Sequence, residues 1–483
     1  MENLLENHLG NSKVDNRIAT RFRFWSLVKF ALPTMAMALL MAIFKSVDDG
    51  LFVSRFVGKD ALAAVNLCFP LIIGVWGIAV MFATGGSAIA ARKIGEGKPE
   101  EAKRDFTSVV IVGAVVSALI TIPCVIFMEP IMRLLGATDE LMEFCKVYGT
   151  MSIITTPISI LCPVMEYFYV TAGAPRMGLW STIVNGAVNL TLDYLFIVVF
   201  KWGVFGVALA TALGELAVCL MGVVFYSNKK HAMHFTKPST NWGSILWNSC
   251  KNGMAGFFNS VSVGLTAFVI NGTMMRLMGS DGVAANAVVS AVGYILISMF
   301  IGYSNGVAPV FSYNYGNQDF SMMRRLIKYS AIFLALAQSL MVLLCYLFTD
   351  PLISVYLQKA KEPALFEVVR SGLHIYCLGF FFTGLNITTS GMFSAVTKGH
   401  AASIISVMRN LVLVIVLTLT LSALFGVTGV WLANPVGELL SFGICAVLLY
   451  KFRYLYLPQD PEDKDEMEGE LEEELLGDLA VEG

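Results

Sequence analysis

Twelve apolar runs, each long enough to cross a bilayer, leave this chain little choice of architecture. They cover approximately residues 27–52, 62–91, 107–128, 145–171, 177–200, 204–226, 254–275, 283–311, 327–348, 370–394, 401–424 and 427–450. Hydrocarbon offers no hydrogen bonds, so runs of this length must satisfy their own backbone as helices. The composition agrees. At 56% hydrophobic and 14% charged residues, the chain is too apolar for an ordinary soluble protein. The runs therefore predict an all-α integral membrane protein, without a large soluble domain. The first 30 residues are polar and basic rather than a secretory leader, and the first apolar run is of spanning length.

Basic residues set the expected orientation. The loops on one side of the twelve spans carry 21 Lys and Arg, and those on the other carry nine. The richer side holds both ends of the chain, so both termini are expected in the cytoplasm. Residues 459–483 contain twelve acids and the single base Lys464. That segment reads as a solvated acidic tail, native or appended. The nine cysteines show no CxxC spacing and no Cys/His cluster, which argues against a disulfide framework and a structural metal.

The chain repeats itself. Shifted by 221 without gaps, Arg55, Gly58, Asp60, Ala63, Ala64, Gly85, Gly95 and Arg104 fall on Arg276, Gly279, Asp281, Ala284, Ala285, Gly306, Gly316 and Arg325. Shifted by 223, Gly203 to Leu216 falls on Gly426 to Leu439, with Glu215 on Glu438. Each half has six spans, an even number, so the halves share one topology and should be related by a pseudo-two-fold axis along the membrane normal. The expected division is a cytoplasmic segment 1–26, an N-lobe 27–226, an inter-lobe loop 227–251, a C-lobe 252–450 and a tail 451–483.

The repeat sorts the intramembrane acids. Glu215 and Glu438 match each other and read as structural, hydrogen-bonded near helix ends. Asp48 and Asp49 fall on Val269 and Ile270, and Asp193 falls on Val414 or Val416. A carboxylate in hydrocarbon must face a protein interior or a cavity, so acids confined to one lobe are the functional candidates. Asn185, Asn189 and Asp193 recur every four residues and share one helix face. Asp48 and Asp49, beside Lys45, read either as an interfacial cluster or as a carboxylate turned toward Asp193. Two carboxylates sharing a dry site repel, so one binds a proton readily, and the same pair could hold a hard cation. Glu166, deep in the fourth run, is expected as a third acid of that site or as a substrate contact. The pair Arg409-Asn410 is expected to pack near a cytoplasmic helix end, and His374 to be a packing residue. There is no Walker A loop or dinucleotide fingerprint, which excludes a resident ATPase. No nucleophile, base or metal cluster suggests an enzyme.

Asp49-Gly-Leu-Phe-Val-Ser-Arg55 with Gly58, Asn189-x-x-x-Asp193-Tyr-Leu-Phe, and Gly203-x-x-Gly206-Val-Ala-Leu-Ala-Thr211 resemble, in order and spacing, the multidrug and toxic compound extrusion (MATE) family. The resemblance covers about residues 20–455 and is closest to bacterial multidrug exporters. It implies a two-lobe, V-shaped secondary transporter that exports amphipathic, often cationic compounds in antiport with H+ or Na+, with no other cofactor. By motif position it implies a first-lobe coupling site of Asp49, Tyr148, Glu166, Asn189, Asp193 and Thr211, with Asp48 adjacent. Na+, where used, would sit at Asp49, Asn189, Asp193 and Thr211. Glu166 departs from the family pattern, in which Asn is common there. Asn185, Glu166, Asn259 and Asn271 are the candidate cavity contacts, and the seventh run has no acid. The implied partners are small amphipathic or cationic molecules and the cell-membrane bilayer, not nucleic acid, and the implied state is a monomer. A lipid-linked saccharide or lipid flippase of the wider superfamily is the alternative. Cutting the chain at about Pro458 is predicted to leave transport intact, measured at equal membrane level. Loss of activity would give the tail a role.

Overall fold

A computed structural model describes residues 17–47, 57, 59–357 and 359–456. The described residues form helices and turns without a strand. The six spans of the first lobe are α1 (Phe24–Val47), α2 (Lys59–Gly95), α3 (Pro99–Ile126), α4, α5 (Pro175–Asp193) and α6 (Gly203–Ser227). The second lobe has α7 (Trp242–Met278), α8 (Ser280–Gly316), α9 (Phe320–Leu347), α10, α11 and α12 (Val427–Lys451). Four spans are irregular. The span α4 is built from Asp139–Ile154 and Thr156–Thr171, bent by 48°. Pro157 lies at this break; it has no N–H to donate and disfavours helical backbone in the residue before it. In α10, Pro363–Tyr376 passes through a 3-10 turn into Phe380–Ala395, and in α11 a π-turn, Met408–Val412, joins Gly399–Val407 to Leu413–Phe425. A second π-turn, Tyr194–Val199, continues α5 beyond Asp193.

The repeat is present in backbone detail. Gly203 and Gly426, partners at a shift of 223, both have φ +59° at the start of the last helix of their lobe. Only glycine adopts that left-handed region without cost, which is why both positions need it. Two findings adjust the expected divisions. The seventh span begins at Trp242, so the connection between α6 and α7 is 228–241, shorter than 227–251. This connection is held to α3: the backbone N–H groups of Thr236 and Ser239 donate to the hydroxyls of Thr107 and Ser108. The first turns of α1 also belong to the second lobe's core, where Phe22, Phe30 and Met35 pack with Phe300 and Tyr303.

The tightest contacts between the lobes are through glycines in the half of the bundle where α1 begins. A Cβ on Gly85 of α2 would lie 2.0 Å from the Ser249 carbonyl oxygen of α7, and one on Gly253 would lie 1.9 Å from that of Met81. Gly95 and Gly316 pack in the same way against Tyr313 and Arg92, and Gly302 of α8 against Thr34 of α1. Absent side chains let the backbones touch, as small residues do between membrane helices generally. Gly85→Val and Gly253→Val are predicted to part α2 from α7 at this end. Cys250, next to Ser249, would then be alkylated faster by a bulky maleimide when it is the sole cysteine. An unchanged rate at equal protein level would show that the helices absorb the added methyls.

Candidate functional site

The polar face of α5 points into the first lobe, against α6 and α4. Asp193 is fully buried and Asn189 nearly so. Turned with its nitrogen toward the carboxylate, the Asn189 amide donates to Asp193 Oδ2 and accepts from the Thr211 backbone N–H, both at 3.3 Å. This orientation satisfies both ends of the amide. The Thr211 hydroxyl lies beside the same amide, 3.4 Å away. Tyr148 packs at this end of the lobe with Ile197, Val204 and Val207. Asn189, Asp193 and Thr211 are thus brought together, with Tyr148 nearby. Asp48 and Asp49 lie outside the described residues. One turn back along α5, Asn185 sits against Gly214 of α6; a Cβ on that glycine would meet Asn185 Oδ1 at 2.5 Å.

Glu166 is not part of this group. Its Oε1 accepts from the hydroxyls of Ser181 (3.4 Å) and Thr182 (3.3 Å). Asp193 lies eleven residues further along the same helix than Thr182, a rise of roughly 16 Å. The expected three-acid pocket is therefore not formed: sequence could put Glu166 deep in the membrane but not at the right depth. Glu215 is also corrected. It lies in the middle of α6 rather than near an end, with Ser159 of α4 donating to Oε2 at 2.5 Å.

A drug-sized cavity lies elsewhere. About 500 Å³ in volume, it is lined mostly by α7, α8, α10, α11 and α12, with Val80, Thr84 and Ser87 of α2 and Tyr167 of α4 on the first-lobe side. This volume suits a drug-sized molecule. Of the four expected cavity contacts, Asn259 lines it. Asn271 stands behind the wall, accepting from Asn286 at 2.8 Å. Asn185 and Glu166 are not in the wall, although Tyr167, next to Glu166, is, and its hydroxyl accepts from Asn305 of α8 at 2.9 Å.

Arg409 and Glu438 are the charged residues of the wall among those described. Arg409 donates from Nε (2.9 Å) and Nη2 (2.6 Å) to Glu438 Oε1, and from Nη1 to Asn410 Oδ1 at 2.9 Å. Asn386 of α10 donates to Glu438 Oε2 at 2.7 Å, and Asn410 donates to Asn259 at 2.8 Å. Neither charged residue is near a helix end, contrary to expectation; each stands mid-span. Arg409 and Asn410, consecutive in the π-turn Met408–Val412, both line the cavity. The sequence did hold a signal for this pair: an arginine in one apolar run requires a counter-ion, and the adjacent run offers Glu438. His374 packs as expected, stacked on Tyr346 and hydrogen-bonded with Thr349 at 2.9 Å.

The sequence matches the MatE family model over residues 33–195 and again over 257–420, once per lobe. The chain belongs to the MatE family. It is therefore a membrane transporter rather than an enzyme. The multidrug export protein MepA of Staphylococcus saprophyticus is 24% identical over 451 residues, spanning 92% of this chain and 96% of that protein. MepA of Staphylococcus aureus strain MRSA252 is 23% identical over 437 residues, with 89% and 94% covered. The fold matches a crystal structure of MATE in complex with MaL6 at TM-score 0.85 and 21% identity, covering 92% of this chain and all of that one. It also matches an outward-facing multidrug resistance MATE transporter at TM-score 0.84 and 21% identity, covering 92% and 99%. These likenesses establish the MatE fold of twelve helices in two lobes.

Removing one partner of a buried ion pair strands the other. Glu438→Ala is therefore predicted to destabilise the MatE fold by about 3–5 kcal/mol, seen as a large fall in Tm in detergent. The double change Arg409→Met with Glu438→Met should stay near the parent. Equal falls for both would show that the pair's packing, not its charge balance, carries the stability.

Proposed function

We propose that the protein is a secondary active multidrug efflux transporter of the cell membrane, working as a monomer with both termini in the cytoplasm. It exports amphipathic small molecules in antiport with H+ or Na+. The observation that carries this reading is the fully buried Asp193, held by Asn189 beside Thr211, in a chain of the MatE family. MepA, a multidrug export protein over nearly the same length, supports the substrate class. The coupling group is Asp193 with Asn189 and Thr211, joined by Asp49 or Asp48 and by Tyr148. A proton or Na+ arriving there changes the charge of the first-lobe interior. It drives transport only through its different affinity for the two arrangements of the lobes. With the termini in the cytoplasm, the glycine seam is the closed cytoplasmic end and the cavity lies beyond it. A flippase for polyanionic lipid-linked sugars would need a basic cavity. Here the wall's described base, Arg409, is already neutralised by Glu438.

Asp193→Asn is predicted to lower gradient-driven efflux by at least about tenfold, equal to some 1.4 kcal/mol in the coupled step, while the protein still inserts. The measurement is uptake of a fluorescent cation into proteoliposomes under an imposed ΔpH or ΔNa+, which also identifies the coupling ion. Wild-type rates in a well-expressed Asp193→Asn protein would reject the assignment.

A further inference from the structure

We infer that the pocket between the start of α5 and the connection following α6 binds the phosphate headgroup of an anionic phospholipid, in the leaflet on the base-rich face. The inference is independent of the export reading, since it concerns the base-rich end of the first lobe and no transported compound.

The pocket forms where three parts of the chain converge. About 360 Å³ in volume, it is lined by the turn from Ala172 to Met177, by Lys230 to Ala232 beyond α6, and by Arg17 ahead of α1. Four bases, Arg17, Arg176, Lys230 and His231, line it, and no acid does. Among the described residues no carboxylate pairs with any of the four. Other bases of this face are matched: Arg92 and Lys98 meet Glu96, Lys93 holds Asp105 at 2.7 Å, and Lys103 holds Glu100. Cations gathered around one hollow repel each other unless an anion sits among them. A phosphate suits the set, because it accepts forked N–H bonds from an arginine and a point charge from a lysine. His231, stacked on Phe225 with ring centroids 3.9 Å apart, is held in place as a further donor.

The second lobe shows the same turn with protein groups filling the space. Its counterpart there is Val396 to Lys398, where Thr397 has φ +59° as Gly173 has +72°. Arg92 donates to the Thr397 hydroxyl at 3.1 Å. The Lys398 ammonium lies over the rings of Phe452 and Tyr454, 5.9 and 5.7 Å from their centroids. The first-lobe turn opens on the pocket instead.

Two tryptophans set the depth and point to a lipid as the source of the phosphate. Trp25, at the start of α1, and Trp180, one turn beyond Arg176 on the same face of α5, are 66% and 59% exposed. Exposed tryptophans mark the level where headgroups meet hydrocarbon, so the bases just outside them stand at the level of lipid phosphates. Basic pockets between membrane helices recognise such headgroups.

The test uses full-length protein purified in a non-ionic detergent. Dioctanoyl phosphatidylglycerol and dioctanoyl phosphatidylcholine are titrated, and bound lipid is counted by native mass spectrometry. Their chains are identical, so the headgroup decides any difference. The anionic lipid is expected to bind at least about tenfold more tightly. Arg176→Gln with Lys230→Gln should erase that advantage; both side chains are exposed, so the fold does not depend on them. Lys237→Gln with Lys251→Gln, the same change of charge outside the pocket, should keep it. Equal binding of the two lipids by the parent overturns the inference. So does an equal loss in both paired variants, which would mean diffuse surface charge. Inorganic phosphate at about a hundredfold excess should leave the lipid in place. Displacement would assign the pocket to soluble phosphate compounds and overturn the lipid assignment. No gradient or export is measured, so none of these outcomes bears on Asp193.

Discussion

In hydrocarbon a polar group can be satisfied only by other protein groups, and the rest of this structure depends on that constraint. The backbone meets it by closing on itself in helices. The side chains meet it locally as well. Glu166 takes two hydroxyls from α5, Glu215 takes Ser159, and Glu438 takes Arg409 and Asn386.

The two lobes use one topology for two electrostatic purposes. In the first, Asp193 lies in an interior where the Asn189 amide donates to it beside Thr211. In the second, the corresponding region is internally neutral, because Arg409 and Glu438 cancel within a network of asparagines. Glu215 and Glu438 are partners in the repeat, yet Glu215 is met by a serine and Glu438 by a guanidinium. The repeat places a carboxylate in both lobes, and only the second is paired with an arginine, Arg409 of α11, among the described residues.

The glycine seam joins the lobes closely: at contacts such as Gly85 on Ser249 and Gly253 on Met81, backbone meets backbone with no room for an added Cβ. The first turns of α1 pack in the second lobe's cluster while the rest of α1 passes on into the first.

The number of spans, the all-helical class, the six-plus-six repeat and the depth of Asp193 were legible in the chain, because hydropathy, charge asymmetry and helical periodicity act within one run or between identical registers. The Asn189–Asp193 pairing was legible for the same reason, as both lie on one helix face. Three things became visible only with the helices packed: Glu166 stands away from Asp193, the 500 Å³ cavity is lined mainly by the second lobe, and Arg409 pairs with Glu438 in its wall. Each depends on the relative depth and rotation of different helices. Those are set by glycine contacts, a proline bend and π-turns. A run of apolar residues reports its length reliably, but it carries little information on the rotation its neighbours impose.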